Sequence, residues 1–208
     1  MITGKKIVSR ANADTDYISV AEAKTHLRVT NNSEDTYIST LISASLDLCS
    51  HYVGYELRKS VCQYGFQELV GQPATVNPLN GAPLLMGNYL RIPAHIISLD
   101  SVQYVDSNDT LQSFTDYITE PIQFKDFGLD VYLNTLPTSL TLADTKYIAT
   151  VTEGFETSDF TMSLKLACLF MVAQYYDNRQ NLIVGANAIV MPKGTETLLD
   201  KFRVRTFA

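Results

Sequence analysis

The sequence predicts an α+β fold, in which helices from both ends of the chain meet across an inserted antiparallel β-subdomain, with extended N- and C-terminal arms. Three observations predict it. Residues 37–52 carry their apolar side chains on a helical stripe, and residues 166–173 are apolar without interruption. Between them the pattern changes to the two-residue alternation of strands. The expected divisions are an N-terminal arm at 1–17, helices at 18–58 and 158–182, the β-subdomain at 59–157 and a C-terminal segment at 183–208.

Residues 1–17 show no periodicity, so they read as an arm that is ordered only where something holds it. Ser19-Val20-Ala21-Glu22 is a capping box, in which Ser and Glu satisfy each other's backbone amides, and a short helix is expected to about Leu27. Asn31-Asn32-Ser33 breaks the chain and offers a new cap, and Glu34 and Asp35 follow where the helix dipole favours acids. Tyr37, Ile38, Leu41, Ile42, Ser45, Leu48, Cys49 and Tyr52 then recur at three- and four-residue spacing, and Gly54 supplies the stop.

From Tyr55 the period changes. Cys62, Tyr64 and Phe66 alternate as one face of a strand, and Gly71, Pro73, Pro78, Gly81 and Pro83 mark a loop. Further strands are expected at 89–92, 98–106, 110–114, 117–119, 129–133 and 147–152, with a hairpin turn at Ser107-Asn108-Asp109. Residues 162–179 form the second long helix, with Thr161 or Ser158 available as its cap. Leu166 to Ala173 carry no polar side-chain group beyond the Cys168 thiol, and a helix apolar on every side is expected to be buried on every side. The run is too short to span a bilayer, which takes roughly 20 residues, and charge brackets it at Lys165 and at Asp177/Arg179. Burial against a neighbouring copy is the alternative to a plain core helix, and Tyr175, Tyr176 and Arg179 form its amphipathic rim. A short helix at 195–202 and an extended Arg203-Val204-Arg205-Thr206-Phe207 end the chain.

The 208 residues are enough to bury a core without staples. Cys49, Cys62 and Cys168 are odd in number and sit in apolar contexts, so they read as reduced core residues, and folding is expected inside a cell. The N-terminal stretch has charged residues where a signal peptide needs an apolar core, so secretion is not expected. A net charge of −6 argues against coating nucleic acid. The charge is uneven: Lys5, Lys6 and Arg10 make the first ten residues basic, and Lys201, Arg203 and Arg205 do the same for the last nine. Residues 106–159 hold ten acids against Lys125 and Lys146. Lys5, Lys6 and Arg10 thus mark a possible partner-binding arm.

No constellation points to catalysis. His26, His51 and His95 have no second His or Cys at a metal-ligand spacing, since Cys49 and His51 are two apart on a helix and face different ways. Asp106-Ser107-Asn108-Asp109 resembles the start of a calcium loop, but Leu111 stands where the loop needs Gly and Tyr117 where it needs Glu. There is no Gly-rich phosphate loop and no Gly-x-Ser-x-Gly elbow. Glu153 and Glu156 around Gly154-Phe155 read as a strand-ending turn on a solvated face. No cofactor and no metal are expected. Arg203 and Arg205 alternate with Val204 and Thr206 as in a strand able to join a partner's sheet edge; a frayed basic tail is the other reading.

Three stretches together resemble the head-to-tail connector (adaptor) proteins of tailed bacteriophages. The first runs from Ile18-Ser19-Val20-Ala21-Glu22 through Leu27-Arg28 and Glu34-Asp35 to Tyr52-Val53-Gly54. It is similar to that family's short helix closing on Leu-Arg, acidic turn and long helix ending in aromatic-x-Gly. The second is Leu90-Arg91-Ile92-Pro93 with Val102-Gln103-Tyr104-Val105-Asp106. The third is Thr150 to Gly154, Leu164 to Ala173, Tyr175-Tyr176-Asp177-Asn178-Arg179 and Leu198 to Val204. Residues 71–88 and 121–145 have no counterpart in the pattern.

The resemblance implies a helical bundle with an inserted small antiparallel β-subdomain, assembled as a homo-oligomeric ring, usually of twelve copies. Such a ring lies in the virion neck between the capsid portal protein and the tail or neck proteins, and is put together in the host cytoplasm. It is a conduit through whose lumen DNA passes without sequence-specific binding, with no enzyme activity, no cofactor and no membrane. The expected portal-docking residues are Phe202, Arg203, Val204, Arg205 and Phe207, and the expected subunit interface includes Tyr175, Tyr176 and Arg179. The competing reading is a β-rich carbohydrate- or receptor-binding virion module, which twelve Tyr and no Trp would suit. An uncharacterised hydrolase is a weaker third.

Overall fold

In the computed structural model, residues 2–70, 88–121, 128–137, 139–179 and 191–204 are described. The chain combines helices with antiparallel sheets and divides into two compact units. One comprises Met1–Ser9 and Ser60–Glu153, the other Arg10–Lys59 and Gly154–Ala208.

The first unit holds the strands. Strand β1 (Ile2–Arg10) lies beside β2 (Ser60–Phe66), so the stretch read as an arm is held by a neighbouring strand, and its partner lies more than fifty residues away. The five-stranded sheet has the order β1, β2, β8 (Tyr147–Glu153), β4 (Ile96–Val105), β5 (Leu111–Phe114). The β2–β8, β8–β4 and β4–β5 pairs are antiparallel. In β2 and β8 alternate residues are buried, among them Cys62, Tyr64, Phe66, Tyr147, Ala149 and Val151, as period-two side-chain alternation requires. Bulges at Ile96/Ser98 and Leu99/Ser101 explain why β4 lacks that alternation. The β4–β5 hairpin turns at Asp106–Asp109. Asp106 accepts from the amides of Asn108 and Thr110, and Asp109 takes φ +57°.

A second, three-stranded sheet has the order β3 (Tyr89–Ile92), β7 (Leu129–Leu133), β6 (Tyr117–Pro121), antiparallel throughout. Arg91 and Asp130 are cross-strand partners joined by two parallel hydrogen bonds of 2.9 and 2.7 Å. Leu90, Ile92, Val131 and Leu133 are its buried side chains. The separation into two sheets is not visible in the order of strands along the chain.

The second unit holds the helices: α1 (Asp14–Tyr17), α2 (Val20–Leu27), α3 (Asp35–Val53), α4 (Met162–Asp177), α5 (Lys193–Leu199) and a 3-10 turn at Asp200–Phe202. The Ser19/Glu22 capping box forms as expected, and Gly54 ends α3 in the left-handed conformation with φ +92°. Thr161 occupies the N-cap position of α4, but its side chain makes no capping bond, and neither Asn31, Asn32 nor Ser33 caps α3. The α3 stripe buries Ile38, Leu41, Ile42, Ser45 and Cys49 together with Leu46, Ser50 and Val53. Tyr17, which falls in the predicted arm, is fully buried; its hydroxyl donates to the Phe155 carbonyl at 3.1 Å and accepts from the Lys59 amide at 2.8 Å.

One expectation about α4 is corrected. The helix is not buried all round within one chain: α3, α5 and α2 cover Leu164, Ala167, Cys168, Met171 and Val172, whereas Met162 is 78 % and Leu166 36 % exposed. Three neighbouring helices cannot enclose a fourth on every side. No helix among the described residues is long and apolar enough to cross a membrane.

Candidate functional site

The residues singled out above fall into three places, each described within its own unit. At the C-terminal end of α4, the Tyr176 hydroxyl donates to Glu34 Oε2 and Arg179 donates to Glu34 Oε1. The Arg179 guanidinium lies 4.7 Å from the centre of the Tyr37 ring and 5.0 Å from that of Tyr176, so cation and aromatic faces reinforce the ion pair. The hydrogen bond from Tyr176, and then that from Arg179, holds the Glu34 carboxyl below its usual range, and the same carboxylate pushes the Tyr176 phenol up. Tyr175 is half-buried, and burial raises its phenol. Tyr176 and Arg179 thus fasten the end of α4 to the start of α3, while half of the Arg179 side chain stays in solvent.

The C-terminal segment is fastened by its first residues. Phe202 is buried, edge-on to Phe155 with ring centres 6.0 Å apart, and Phe155 in turn meets Phe160. The Val204 amide donates to the Val53 carbonyl at 2.9 Å. Arg203 lies over the Tyr52 ring at 5.0 Å, and the Tyr52 hydroxyl donates to Asp200 at 2.8 Å. Arg205 and Phe207 lie outside the described residues.

Of the three basic residues near the N-terminus, Lys5 donates to Glu153 and lies over the Tyr64 ring, whose hydroxyl donates to the other Glu153 oxygen. Arg10 donates to Asp47 at 3.3 Å and to Glu56 at 3.2 Å. Lys6 is exposed. Glu153 is fully buried, which corrects the reading of Glu153 and Glu156 as a solvated turn. Burial is tolerable because Lys5 and Tyr64 satisfy both carboxylate oxygens, and Glu156 is half-buried and paired with Lys59.

Sequence reading missed the Arg58 cluster. Arg58 is 1 % exposed and donates to Asp14 at 2.9 Å, to Glu56 at 2.7 Å and to Asp47. Burial alone would lower its pKa, but the bonds to Glu56, Asp47 and Asp14 outweigh it and hold the guanidinium charged. Burial opposes ionisation of Asp14 and Glu56 too. Hydrogen bonds from Ser43 and Arg58 bring Asp14 below its usual range, and Arg58 does the same for Glu56. The ligands come from positions 14, 47 and 56, a spacing that carries no local signature; the one available hint is Glu56 and Arg58 two apart on an extended stretch, where they share a side. Gly154 sits against this cluster: with φ +97°, a Cβ there would lie 2.2 Å from the Arg58 carbonyl oxygen.

None of these places is built for chemistry. Their carboxylates are neutralised by hydrogen-bonded cations, and Cys49, Cys62 and Cys168 are buried thiols outside any disulfide. Among the described residues no group of three or more His, Cys, Asp or Glu is placed to hold a metal ion. What remains exposed is apolar surface on α4 and at sheet edges, with basic side chains near the two chain ends. Exposed apolar side chains of this kind are common at contacts between proteins.

Residues 17–78 match the family described as phage gp6-like head-tail connector protein. Comparison with curated proteins gives no match. Among solved structures, the fold is similar to a chain in the neck of an empty gene transfer agent particle computed with C6 symmetry. There the identity is 16 %, the TM-score 0.71, and the match covers 99 % of this chain and 98 % of that one. A chain in the virion of the native gene transfer agent particle gives 17 % identity, TM-score 0.66 and coverage of 98 % and 97 %. A chain in the neck of the native particle computed with C12 symmetry gives 17 %, 0.61 and coverage of 100 % and 97 %. The sequence match to head-tail connector proteins covers residues 17–78, and the fold likeness to a chain of a gene transfer agent neck covers nearly the whole chain.

Proposed function

We propose that this chain is a structural subunit of a virion neck, forming a ring that joins the capsid portal to the tail and gives DNA a channel. The observation that carries the reading is the fold likeness to chains of necks over nearly the full length of both partners. The matched necks were computed with C6 and C12 symmetry, which motivates a ring of twelve copies here. The apolar face left on α4 at Met162 and Leu166, with the rim at Tyr175, Tyr176 and Arg179, is surplus surface of the kind a neighbouring copy covers.

In this reading the C-terminal segment docks on the portal. Phe202 and Val204 anchor it within the subunit, and Arg203, Arg205 and Phe207 reach the partner, the arginines pairing with its acids. Of the N-terminal basic residues Lys5, Lys6 and Arg10, the first and last are held by carboxylates of this chain, so exposed Lys6 is the one offered to a tail or neck protein. The acidic stretch 106–159 faces the lumen in part, where it repels phosphate and keeps DNA from adhering during ejection.

Electron microscopy of the full-length protein with and without portal tests the proposal. Twelvefold rings that cap portals are the expected result, and a monomer that ignores portals overturns it. Because Phe202 is part of the subunit's own core, the truncation that isolates docking removes residues 205–208 and leaves Phe202 in place. That variant is expected to fold and form rings but not to join portals.

A further inference from the structure

We propose that Met162 is a modification site for peroxide, and that oxygen transfer to its thioether disables the apolar face of α4. The inference rests on the reading that a neighbouring copy covers that face, and it names how the contact is regulated. Met162 stands in the first turn of α4 with 78 % of its surface in solvent. Leu166, one turn on, is 36 % exposed, and Met162 and Leu169 line an open cleft with Ala21 and Thr25 of α2. The thioether is thus both reachable and part of the apolar surface.

Burial makes the reaction selective. Hydrogen peroxide is small and uncharged, so exposure decides which sulfur it meets. Met171 lies nine residues further along α4, on the opposite side of the helix, and is 1 % exposed. Met191 is half-buried, and Cys49, Cys62 and Cys168 are buried. Met1 and Met86 lie outside the described residues, and the test follows them separately.

The step is a two-electron oxygen transfer. A sulfur lone pair attacks one oxygen of hydrogen peroxide, and an S–O bond forms as the O–O bond breaks. The departing oxygen takes the proton of the transferred one and leaves as water; sulfur is oxidised and the peroxide reduced. A pliable apolar side chain becomes a polar one whose oxygen accepts hydrogen bonds. Against a neighbour's apolar surface that oxygen is desolvated without a partner, which disfavours the contact. In the free subunit it stays in water, so the fold is not disturbed. A methionine sulfoxide reductase with a thiol reductant reverses the change.

The test exposes full-length protein, as free subunits and as rings verified by electron microscopy, to hydrogen peroxide and reads each methionine by peptide mass spectrometry. In free subunits Met162 is expected to gain oxygen about tenfold faster than Met171 or more, and in rings to be protected. Oxidised subunits are expected to associate about tenfold more weakly in sedimentation, with an unchanged thermal midpoint, and to recover after reductase treatment. Met162→Leu keeps the apolar surface without the thioether, so its association is expected to ignore peroxide. Met162→Gln is polar from the start and is expected to associate weakly without peroxide. Oxidised Met162 with unchanged association, or a peroxide effect that persists in Met162→Leu, overturns the proposal while leaving the ring reading intact. Equal oxidation of Met162 in rings and in free subunits places the contact elsewhere and overturns it too. Untreated protein that forms no ring, alone or on portals, overturns both.

Discussion

Arg58 Nε donates to Glu56 Oε1 across 2.7 Å, and the two side chains are 1 % and 4 % exposed. With Asp14 and Asp47 on the same guanidinium, this pair ties α1, α3 and the segment leading to β2 into one charged cluster inside the helical unit. Such a cluster is not a large net source of stability while intact, because desolvation offsets attraction, but losing one member is costly.

Replacing Arg58 by Met leaves Glu56 buried without its principal cation. The expected loss is about 3–5 kcal/mol, read from the urea midpoint of the full-length protein. A loss below about 1 kcal/mol would mean that the carboxylates regain water when Arg58 is removed.

The same cluster sets an acid limit. Burial pushes the Glu56 and Asp14 carboxyls up, but Arg58, joined by Ser43 at Asp14, outweighs it and holds both below the usual carboxylate range. Groups so depressed contribute stability that is present above the unfolded pKa and lost as pH falls through the folded one. Stability is therefore expected to decline as pH drops through the low fours and below, and Glu56→Gln to flatten that decline. Denaturant midpoints between neutral pH and pH of about 3 check it. Parallel curves for the two proteins would remove Glu56 from the account.

Gly154→Ala tests the backbone beside Arg58. The left-handed conformation costs a non-glycine residue about 1–2 kcal/mol, and the 2.2 Å approach of the Arg58 carbonyl adds overlap with backbone that cannot rotate away. A fall in thermal midpoint larger than that strain alone predicts is expected. A neutral substitution would show that the strand end moves freely.

Leu41→Asp places an unpaired charge on the buried side of α3, where Leu41 is 8 % exposed. The cost is several kcal/mol, enough to prevent folding of a marginally stable chain. Recovery of a cooperatively melting protein would mean that the α3 stripe is not core.

Features legible in the sequence are those whose partners are near in the chain. The Ser19/Glu22 box spans three residues, the β4–β5 turn is held by Asp106 reaching two and four residues onward, and the α3 stripe needs its own helical period alone. Arg58, Glu153 and β1 escaped because their partners lie 44, 148 or more than fifty residues away, and charge in a sequence looks the same whether it ends in water or in an ion pair. Of the candidate site, the stretches were visible but the commitments were not. Lys5 and Arg10 looked like a free basic arm, yet each is engaged with buried carboxylates; Tyr176 and Arg179 looked like a rim and turn out to clasp Glu34.

By itself, the sequence determined the α+β class, the helix and strand periods and the likeness to head-to-tail connectors, since periodicity and local hydrogen bonding are properties of neighbouring residues. Tertiary structure alone decided which strands share a sheet, which charges are buried together, and which side of α4 stays uncovered. Those outcomes depend on what long-range packing brings into contact, and three covering helices leave Met162 and Leu166 facing water.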